Sequence, residues 1–291
     1  MLLTVPARAC GLLLEEQLAN AAAAGFEALE LRGEVDGVPL TSLDTGAFAD
    51  LCHGAAALGL TVATLALGTV EELAGNPDGL RRVGELSALV GARVRLLSAN
   101  RPGVHGAAEA RGEPPEMLFE REVELWRACL AALREGNPGA LVMIEGRDIG
   151  VCNTVARQER LLAALADPML GYNWDFVACW RGGEHPWPGA WPRLAGRIYG
   201  VHYQGAKADP HDPSAYACHA LPGDDDIPHR SLWATLAAVG FDGPVTVDPH
   251  YQHFGVADRF DPAPDNPTWE LCTQTLAKMQ DYRRRAWERL C

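Results

Sequence analysis

Short apolar runs alternate along the chain with longer stretches that are rich in alanine and leucine. The short runs have the length and β-branched content of buried strands, whereas the longer stretches have the amphipathic spacing of helices. Eight strands are predicted, near residues 2–5, 28–32, 60–67, 93–100, 140–146, 169–175, 197–204 and 244–250. Helices are predicted at 12–24, 44–59, 78–91, 114–136, 153–167, 188–195, 227–240 and 266–290.

Residues that are preferred at helix ends support the predicted helix boundaries. Asp44, Asn153 and Asp226 are expected N-caps, and Pro114 and Pro115 fit a first helical turn. Glycines expected as C-caps follow four of the helical runs, at Gly25, Gly59, Gly91 and Gly240.

The order of these elements predicts an α/β fold, a (β/α)₈ TIM barrel. Parallel neighbouring strands need a crossover, which the helices provide, and eight strands close a barrel. The segments AGFEALEL (24–31) and VGFDGPVTV (239–247) echo each other. An open doubly wound sheet is the rival, but the chain lacks the G-x-G-x-x-G signature that is usual there. We therefore expect one barrel domain over residues 1–291.

The composition limits the classes of function. Hydrophobic residues make up 48% of the 291 residues, and the formal net charge is −13, without the basic stripe that nucleic acid requires. The opening segment MLLTVPARACGLLLEEQ lacks the features of a signal peptide or a membrane span. The eight cysteines form no C-x-x-C pair. We expect a cytoplasmic protein with reduced thiols, and neither nucleic acid nor membrane as a partner.

Four consecutive predicted strands end in a side chain that can bind a metal: Glu145, Asp175, His202 and Asp248. In a barrel the carboxyl ends of the strands meet at one face, where active sites lie. Buried carboxylates there are costly, and no lysine ends these strands, so a divalent cation is the most economical compensation. The ligand types suit one Mn²⁺ ion, with Mg²⁺, Co²⁺ or Zn²⁺ as alternatives. Taken singly, each acid is more often a helix N-cap or the partner of an arginine such as Arg147 or Arg181.

Other side chains near the strand ends are candidates for substrate contact. Three arginines end strands or begin loops: Arg32, Arg101 and Arg147. They would hold an acidic or phosphorylated group, or they neutralise the site carboxylates.

Four tryptophans surround the sixth strand and its loop: Trp174, Trp180, Trp187 and Trp191. Their rings suit the faces of a sugar, or they pack the loop onto the barrel rim. Loop histidines are outside candidates: His105, His185, His250 and His253.

Three segments carry a resemblance to a known family. NWDFVACWRGGEHPWPGAWPRLAGRIYGVHYQGAK (173–207) resembles the sixth and seventh strands of xylose-isomerase-like sugar isomerases and epimerases. LPGDDDIPHRSLWATLAAVGFDGPVTVD (221–248) resembles the following loop, helix and last strand, and GFEALELR (25–32) resembles the second strand. The resemblance covers nearly the whole chain, but its motifs carry little information about the identity of the substrate.

The resemblance implies a metal held by Glu145, Asp175, His202 and Asp248. Such a cation binds two adjacent oxygens of a hydroxy-ketone or sugar, polarises the carbonyl and stabilises an enediolate. Two opposed carboxylates, matching Glu145 and Asp248, move a proton off and onto carbon.

The chain departs from the family pattern at several positions. The family usually has Glu where this chain has Asp248, and it often has Lys-Asp where this chain has Gln204-Gly205. A histidine that frequently follows the metal aspartate is here Ala178, and one that commonly follows the first glutamate is absent. Because aspartate is shorter than glutamate, we expect Asp248 to serve mainly as a ligand. Glu145 or His250 would then carry most of the proton transfer.

These observations predict a metal-dependent isomerase or epimerase that acts on a sugar, polyol or small hydroxy-carbonyl compound. One alternative is a metal-dependent lyase or dehydratase acting on a related keto-sugar or inosose. Another is a non-catalytic barrel that binds a ligand or partner, since fold does not imply function. The expected partner is a small carbohydrate-like substrate, and the expected assembly is a homo-oligomer, either a dimer or a tetramer.

Overall fold

Parallel strands form a closed barrel in the computed structural model, which describes residues 1–100, 114–147, 149–185, 189–194, 196–248 and 268–288. In chain order the strands are β1 (Leu2–Pro6), β2 (Ala28–Arg32), β3 (Glu34–Val35), β4 (Val38–Pro39), β5 (Thr61–Thr69), β6 (Arg93–Leu97), β7 (Val142–Glu145), β8 (Leu170–Asp175), β9 (Ile198–Tyr203), β10 (Gly205–Asp209), β11 (Asp212–Ala220) and β12 (Pro244–Val247). The barrel order is β1-β12-β9-β8-β7-β6-β5-β2. β3 with β4, and β10 with β11, form separate antiparallel pairs. The predicted (β/α)₈ barrel is confirmed.

Helices lie between the barrel strands and after the last of them. They are α1 (Leu14–Ala24), α2 (Thr45–Ala57), α3 (Val70–Leu73), α4 (Pro77–Val90), α5 (Pro115–Gly136), α6 (Val155–Leu165), α7 (Phe176–Arg181), α8 (Trp191–Leu194), α9 (His229–Ala238) and α10 (Thr268–Glu288). A short 3₁₀ turn, Ala7–Ala9, precedes α1. None of the helices in the described ranges has both the length and the apolar composition needed to cross a membrane.

Two of the predicted N-caps were wrong. α6 is capped by Thr154, whose hydroxyl accepts a hydrogen bond from the Arg157 amide, while Asn153 accepts one from the Arg157 guanidinium. Asp226 does not cap α9, because its carboxylate accepts a hydrogen bond from the Ala208 amide in β10 instead. The Asp44 cap is confirmed by bonds from the amides of Gly46 and Ala47. The four predicted C-cap glycines all have positive φ values.

The chain divides into two compact units. One unit comprises Met1–Arg32, Asp50–Ala63 and Gly200–Cys291. In its core the Tyr203 ring lies 5.6 Å from Trp233 and 5.0 Å from His229, centroid to centroid. His229 also stacks on Tyr282, and its Nε2 lies 2.7 Å from Asp225 Oδ2. This pair fixes the loop before α9.

The other unit comprises Gly33–Ala49 and Thr64–Tyr199. Here α4 and α5 touch through their backbones. A Cβ added to Gly84 would lie 2.4 Å from Leu133 O, and one added to Gly136 would lie 2.1 Å from Arg81 O. Only glycine permits an approach this close, so these two residues set the spacing of the two helices.

A buried acid on α5 holds the end of β6. Both carboxylate oxygens of Glu122 accept from the Ala99 amide, at 3.0 and 3.3 Å, and Trp126 Nε1 donates to it at 2.9 Å. Burial raises the pKa of Glu122, and the hydrogen bonds from Ser98, Trp126 and Ala99 offset this only in part. Folding therefore favours the protonated acid.

The shifted pKa of Glu122 predicts how stability depends on pH. A carboxyl whose pKa is raised on folding contributes stability below its unfolded pKa and loses it as pH rises through its folded pKa. Glu122→Gln cannot ionise, so its melting temperature relative to wild type should rise between pH 5 and pH 8. Thermal unfolding at both values measures this, with Glu124→Gln, an exposed acid on the same helix, as the control. Parallel pH profiles for the wild type and Glu122→Gln would contradict the assignment.

Candidate metal centre

Three of the four predicted ligands lie together at strand ends. Glu145 is the last residue of β7, Asp175 is the last of β8, and His202 lies one residue before the end of β9. Each offers a ligand atom, and these atoms all lie within 4.8 Å of one another. All three side chains are buried. Two carboxylates and one imidazole at this spacing form a donor set suited to a divalent cation.

Glu145 is fixed by two donors from neighbouring strands. Arg95 Nη1 in β6 donates to Glu145 Oε2 at 2.6 Å, and Asn173 Nδ2 in β8 donates to the same oxygen at 3.0 Å. Sequence reasoning missed both donors. The available signal for Arg95 was an arginine in the middle of a strand predicted to be buried, because such a charge requires a partner there.

Asp175 combines two interpretations that the sequence left open. Its Oδ1 accepts a hydrogen bond from the Ala178 amide at 2.8 Å, so it caps α7. The cap occupies one lone pair of one oxygen, and an ionised carboxylate has about four such acceptor positions. The same side chain can therefore begin the helix and offer a ligand atom.

His202 lies between two carboxylates of its own unit. Its Nε2 is 3.4 Å from Glu30 Oε2, and its Nδ1 is 3.1 Å from Asp248 Oδ2. Asp248 is not a member of the three-residue group, although it is adjacent to that group's histidine. Glu30, which is only 1% exposed, was missed. The signal that could have identified Glu30 was an acid in the middle of the apolar run ALELR.

Arg32 bridges the same two acids. Its Nε lies 2.5 Å from Glu30 Oε1, and its Nη2 lies 3.1 Å from Asp248 Oδ1. The sequence left two roles open for Arg32. These contacts correspond to the second role, in which the arginine neutralises carboxylates of the site. Arg147, the other described arginine of the predicted set, donates to Asn100 Oδ1.

Two tryptophans of the predicted set, Trp174 and Trp180, pack inside the protein. Trp174 is buried and meets the Phe176 ring edge-on at 5.7 Å. Trp180 is also buried, and its ring lies 5.1 Å from His185. Several predicted residues lie outside the described residues: Arg101, His105, Trp187, His250 and His253.

Thiol chemistry is not favoured near these strand ends. Burial, together with nearby acids, raises the pKa of Cys179 and of Cys152 well above the ordinary thiol value. Burial likewise raises the pKa of the Tyr203 hydroxyl. All three groups are therefore neutral at physiological pH, and the groups left for chemistry here are carboxylates, the imidazole and the guanidiniums.

A family model for the xylose isomerase-like TIM barrel matches residues 18–270. The chain belongs to this family. Among curated proteins, no sequence matches the chain significantly.

Solved structures share the fold of this xylose isomerase-like barrel. A D-psicose 3-epimerase with D-tagatose from Clostridium cellulolyticum H10 is 14% identical, with a TM-score of 0.70 over 98% of this chain and 99% of that one. A Mycobacterium smegmatis xylose isomerase-like protein in complex with magnesium is 16% identical, with a TM-score of 0.65 over 94% and 88%. A probable 3-DHS dehydratase from Bacillus anthracis is 11% identical, with a TM-score of 0.66 over 96% and 99%. At these identities the likeness establishes the fold alone.

Removing either of two grouped side chains should weaken cation binding. Glu145→Gln and His202→Ala each delete a donor atom. We expect Mn²⁺ affinity to fall by at least about tenfold, since even the outer partners of a metal site contribute that much. Calorimetric titration of the purified chain measures it. Glu120→Gln and His211→Ala, at exposed positions, are the matched controls. Equal affinity in all four variants would remove these residues from the ligand set.

Proposed function

We propose that this chain is a metal-dependent isomerase or epimerase acting on a sugar, polyol or small hydroxy-carbonyl compound. The observation that carries the proposal is the buried group of Glu145, Asp175 and His202, whose ligand atoms lie within 4.8 Å of one another. Membership of the xylose isomerase-like family supports it, as do neighbours in fold whose names include a sugar epimerase.

The local charges also support a divalent cation. In one unit the acids Glu30 and Asp248 share the guanidinium of Arg32. In the other unit Glu145 bonds to Arg95, and Asp175 adds a further negative charge. Oxygen ligands with one imidazole suit Mn²⁺, with Mg²⁺, Co²⁺ and Zn²⁺ as alternatives.

The protein's own groups define the proton transfer. When bound, the cation would supply Lewis-acid polarisation of a substrate carbonyl. Glu145 is the proposed base that removes a proton from the adjacent carbon, since Arg95 and Asn173 hold its carboxylate at a fixed position. Such general-base help contributes about 10²–10⁴-fold. Returning the proton to the other face of the carbon requires a second acid, and His250 remains a candidate for that role.

Asp248 fits the role of a ligand better than that of a base. It is one methylene shorter than the glutamate of the family pattern, so its reach falls by about 1.5 Å. A misplacement of about 1 Å can cost about 10²-fold in proton transfer.

Elimination is the second candidate reaction. One base removes the α-proton, and the hydroxyl group on the next carbon leaves as water after taking up a proton, which the protonated base can return. No proton has to reach the opposite face of the carbon. Asp248 is shorter than the glutamate of the family pattern, and Gln204 stands where the family often has lysine, so these two positions favour chemistry with one base. The fold likeness to a probable dehydratase is consistent with this alternative.

Product analysis in deuterated water tests the function. The Mn²⁺-loaded chain is incubated with ketohexoses, ketopentoses and inososes, and products are followed by NMR and mass spectrometry. Isomerisation or epimerisation should place deuterium on carbon, whereas elimination should give a dehydrated product. Glu145→Gln should reduce either reaction by at least about 10²-fold. Metal uptake without turnover of any of these compounds would favour a non-catalytic binding barrel.

Two substitutions at Asp248 separate ligation from proton transfer. Asp248→Glu keeps a carboxylate and should retain Mn²⁺, whereas Asp248→Asn should lower Mn²⁺ affinity by about 10–100-fold, the range for partners of a metal site. Calorimetry and metal analysis give the affinities, and Asp209→Asn, on the β10–β11 hairpin, is the control. Full metal occupancy with undiminished turnover in Asp248→Asn would refute the role of Asp248.

A further inference from the structure

Arg95 is a charged side chain placed inside a barrel strand. It lies in the middle of β6, and its side chain is only 7% exposed. Its Nη1 is 2.6 Å from Glu145 Oε2, the shorter of the two donor distances to that oxygen. Arg93, two residues earlier on the same strand, donates instead to the backbone carbonyl of Tyr199. The two arginines therefore differ in their partners although they share a strand.

Burial makes the Arg95–Glu145 pair consequential. A buried charge is costly when it lacks an opposite charge, and breaking a buried pair leaves the remaining charge uncompensated. In the protein without an ion, the guanidinium of Arg95 supplies positive charge to Glu145. A cation bound by Glu145 would supply positive charge to the same carboxylate. The two positive groups repel each other, so Arg95 must lower the affinity of the cation.

The second donor has a different effect. Asn173 Nδ2 donates to Glu145 Oε2 at 3.0 Å without adding charge. Two donors that converge on one oxygen from β6 and β8 restrict rotation of the carboxylate. Loss of Asn173 therefore frees the carboxylate but leaves the charge balance unchanged. This difference between the two donors makes charge and orientation separable by substitution.

We propose that Arg95 is a positioning residue and internal counter-ion for Glu145. It keeps the site folded before a cation arrives, and it limits how tightly the cation is then held. Asn173 contributes orientation alone. This inference rests on the proposed function in one respect, namely that Glu145 is a cation ligand.

The experiment measures ion-free stability and Mn²⁺ affinity on the full chain. Arg95→Met should lower the ion-free melting temperature and tighten Mn²⁺ binding by about tenfold, since a competing charge is removed. Asn173→Ala should instead weaken Mn²⁺ binding by about tenfold, as expected for loss of an orienting partner. Arg95→Lys keeps the charge, so its affinity should stay within about threefold of wild type. Arg93→Met is the matched control, and its Mn²⁺ affinity should equal that of wild type.

A double variant covers the case in which Arg95→Met fails to fold. Arg95→Met with Glu145→Gln removes both charges, so its ion-free melting temperature should recover toward wild type. Recovery supports the counter-ion role. A double variant as unstable as Arg95→Met, or an Mn²⁺ affinity in Arg95→Met that is unchanged or weaker, would overturn it. A wild-type chain that binds no Mn²⁺ would contradict the proposed function, while the melting temperatures would still decide whether Arg95 is the counter-ion of Glu145.

Turnover gives a readout that simple packing would not change in this way. If Arg95 positions Glu145, Arg95→Met should lower kcat by about tenfold at saturating Mn²⁺ although the metal is bound more tightly, and KM should change little. A fall in kcat that higher Mn²⁺ reverses would mean that the substitution affects metal loading alone.

Discussion

Buried carboxylates within the barrel strands and at their ends impose the main physical constraint on this molecule. Each acid must have positive charge or hydrogen-bond donors within reach, because water is excluded. The chain satisfies this differently at each position. Glu30 has Arg32, Glu145 has Arg95 and Asn173, and Asp175 has the first turn of α7. The start of a helix and the side chains of three strands thus meet the same requirement.

The barrel could be predicted from the sequence because its signals are local. Apolar runs between turn residues marked each barrel strand, and glycines with positive φ marked helix ends. The β3–β4 hairpin was missed although Asp36-Gly37, both at positive φ, is a common hairpin turn. The β10–β11 hairpin was missed because more than half of β11 is exposed and its residues, DPSAYACHA, show no regular hydrophobic alternation.

Part of the candidate site was also predicted, because part of its signal is local in the sequence. Glu145, Asp175 and His202 each follow an apolar run, and consecutive strand ends of a barrel meet at one face, so local reading sufficed. Arg95, Asn173 and Glu30 could not be assigned, because their roles depend on which side chain faces them from another strand. A cation is not the sole compensation for the buried acids. Arginines within the strands supply part of the charge, so under the proposed function the barrel can fold before a cation binds.

Steric limits at Gly205 oppose the aspartate of the family's Lys-Asp pair. A Cβ at Gly205 would lie 2.6 Å from Asp225 Oδ2 and 2.7 Å from Ala220 O, so aspartate cannot occupy this position without movement of the backbone. Asp225 is itself held by His229, and Ala220 closes the β10–β11 hairpin. The hairpin and the buried Asp225–His229 pair therefore exclude the acid of the family pattern. Under the proposed function, any acid or base needed at this position must therefore come from another part of the chain.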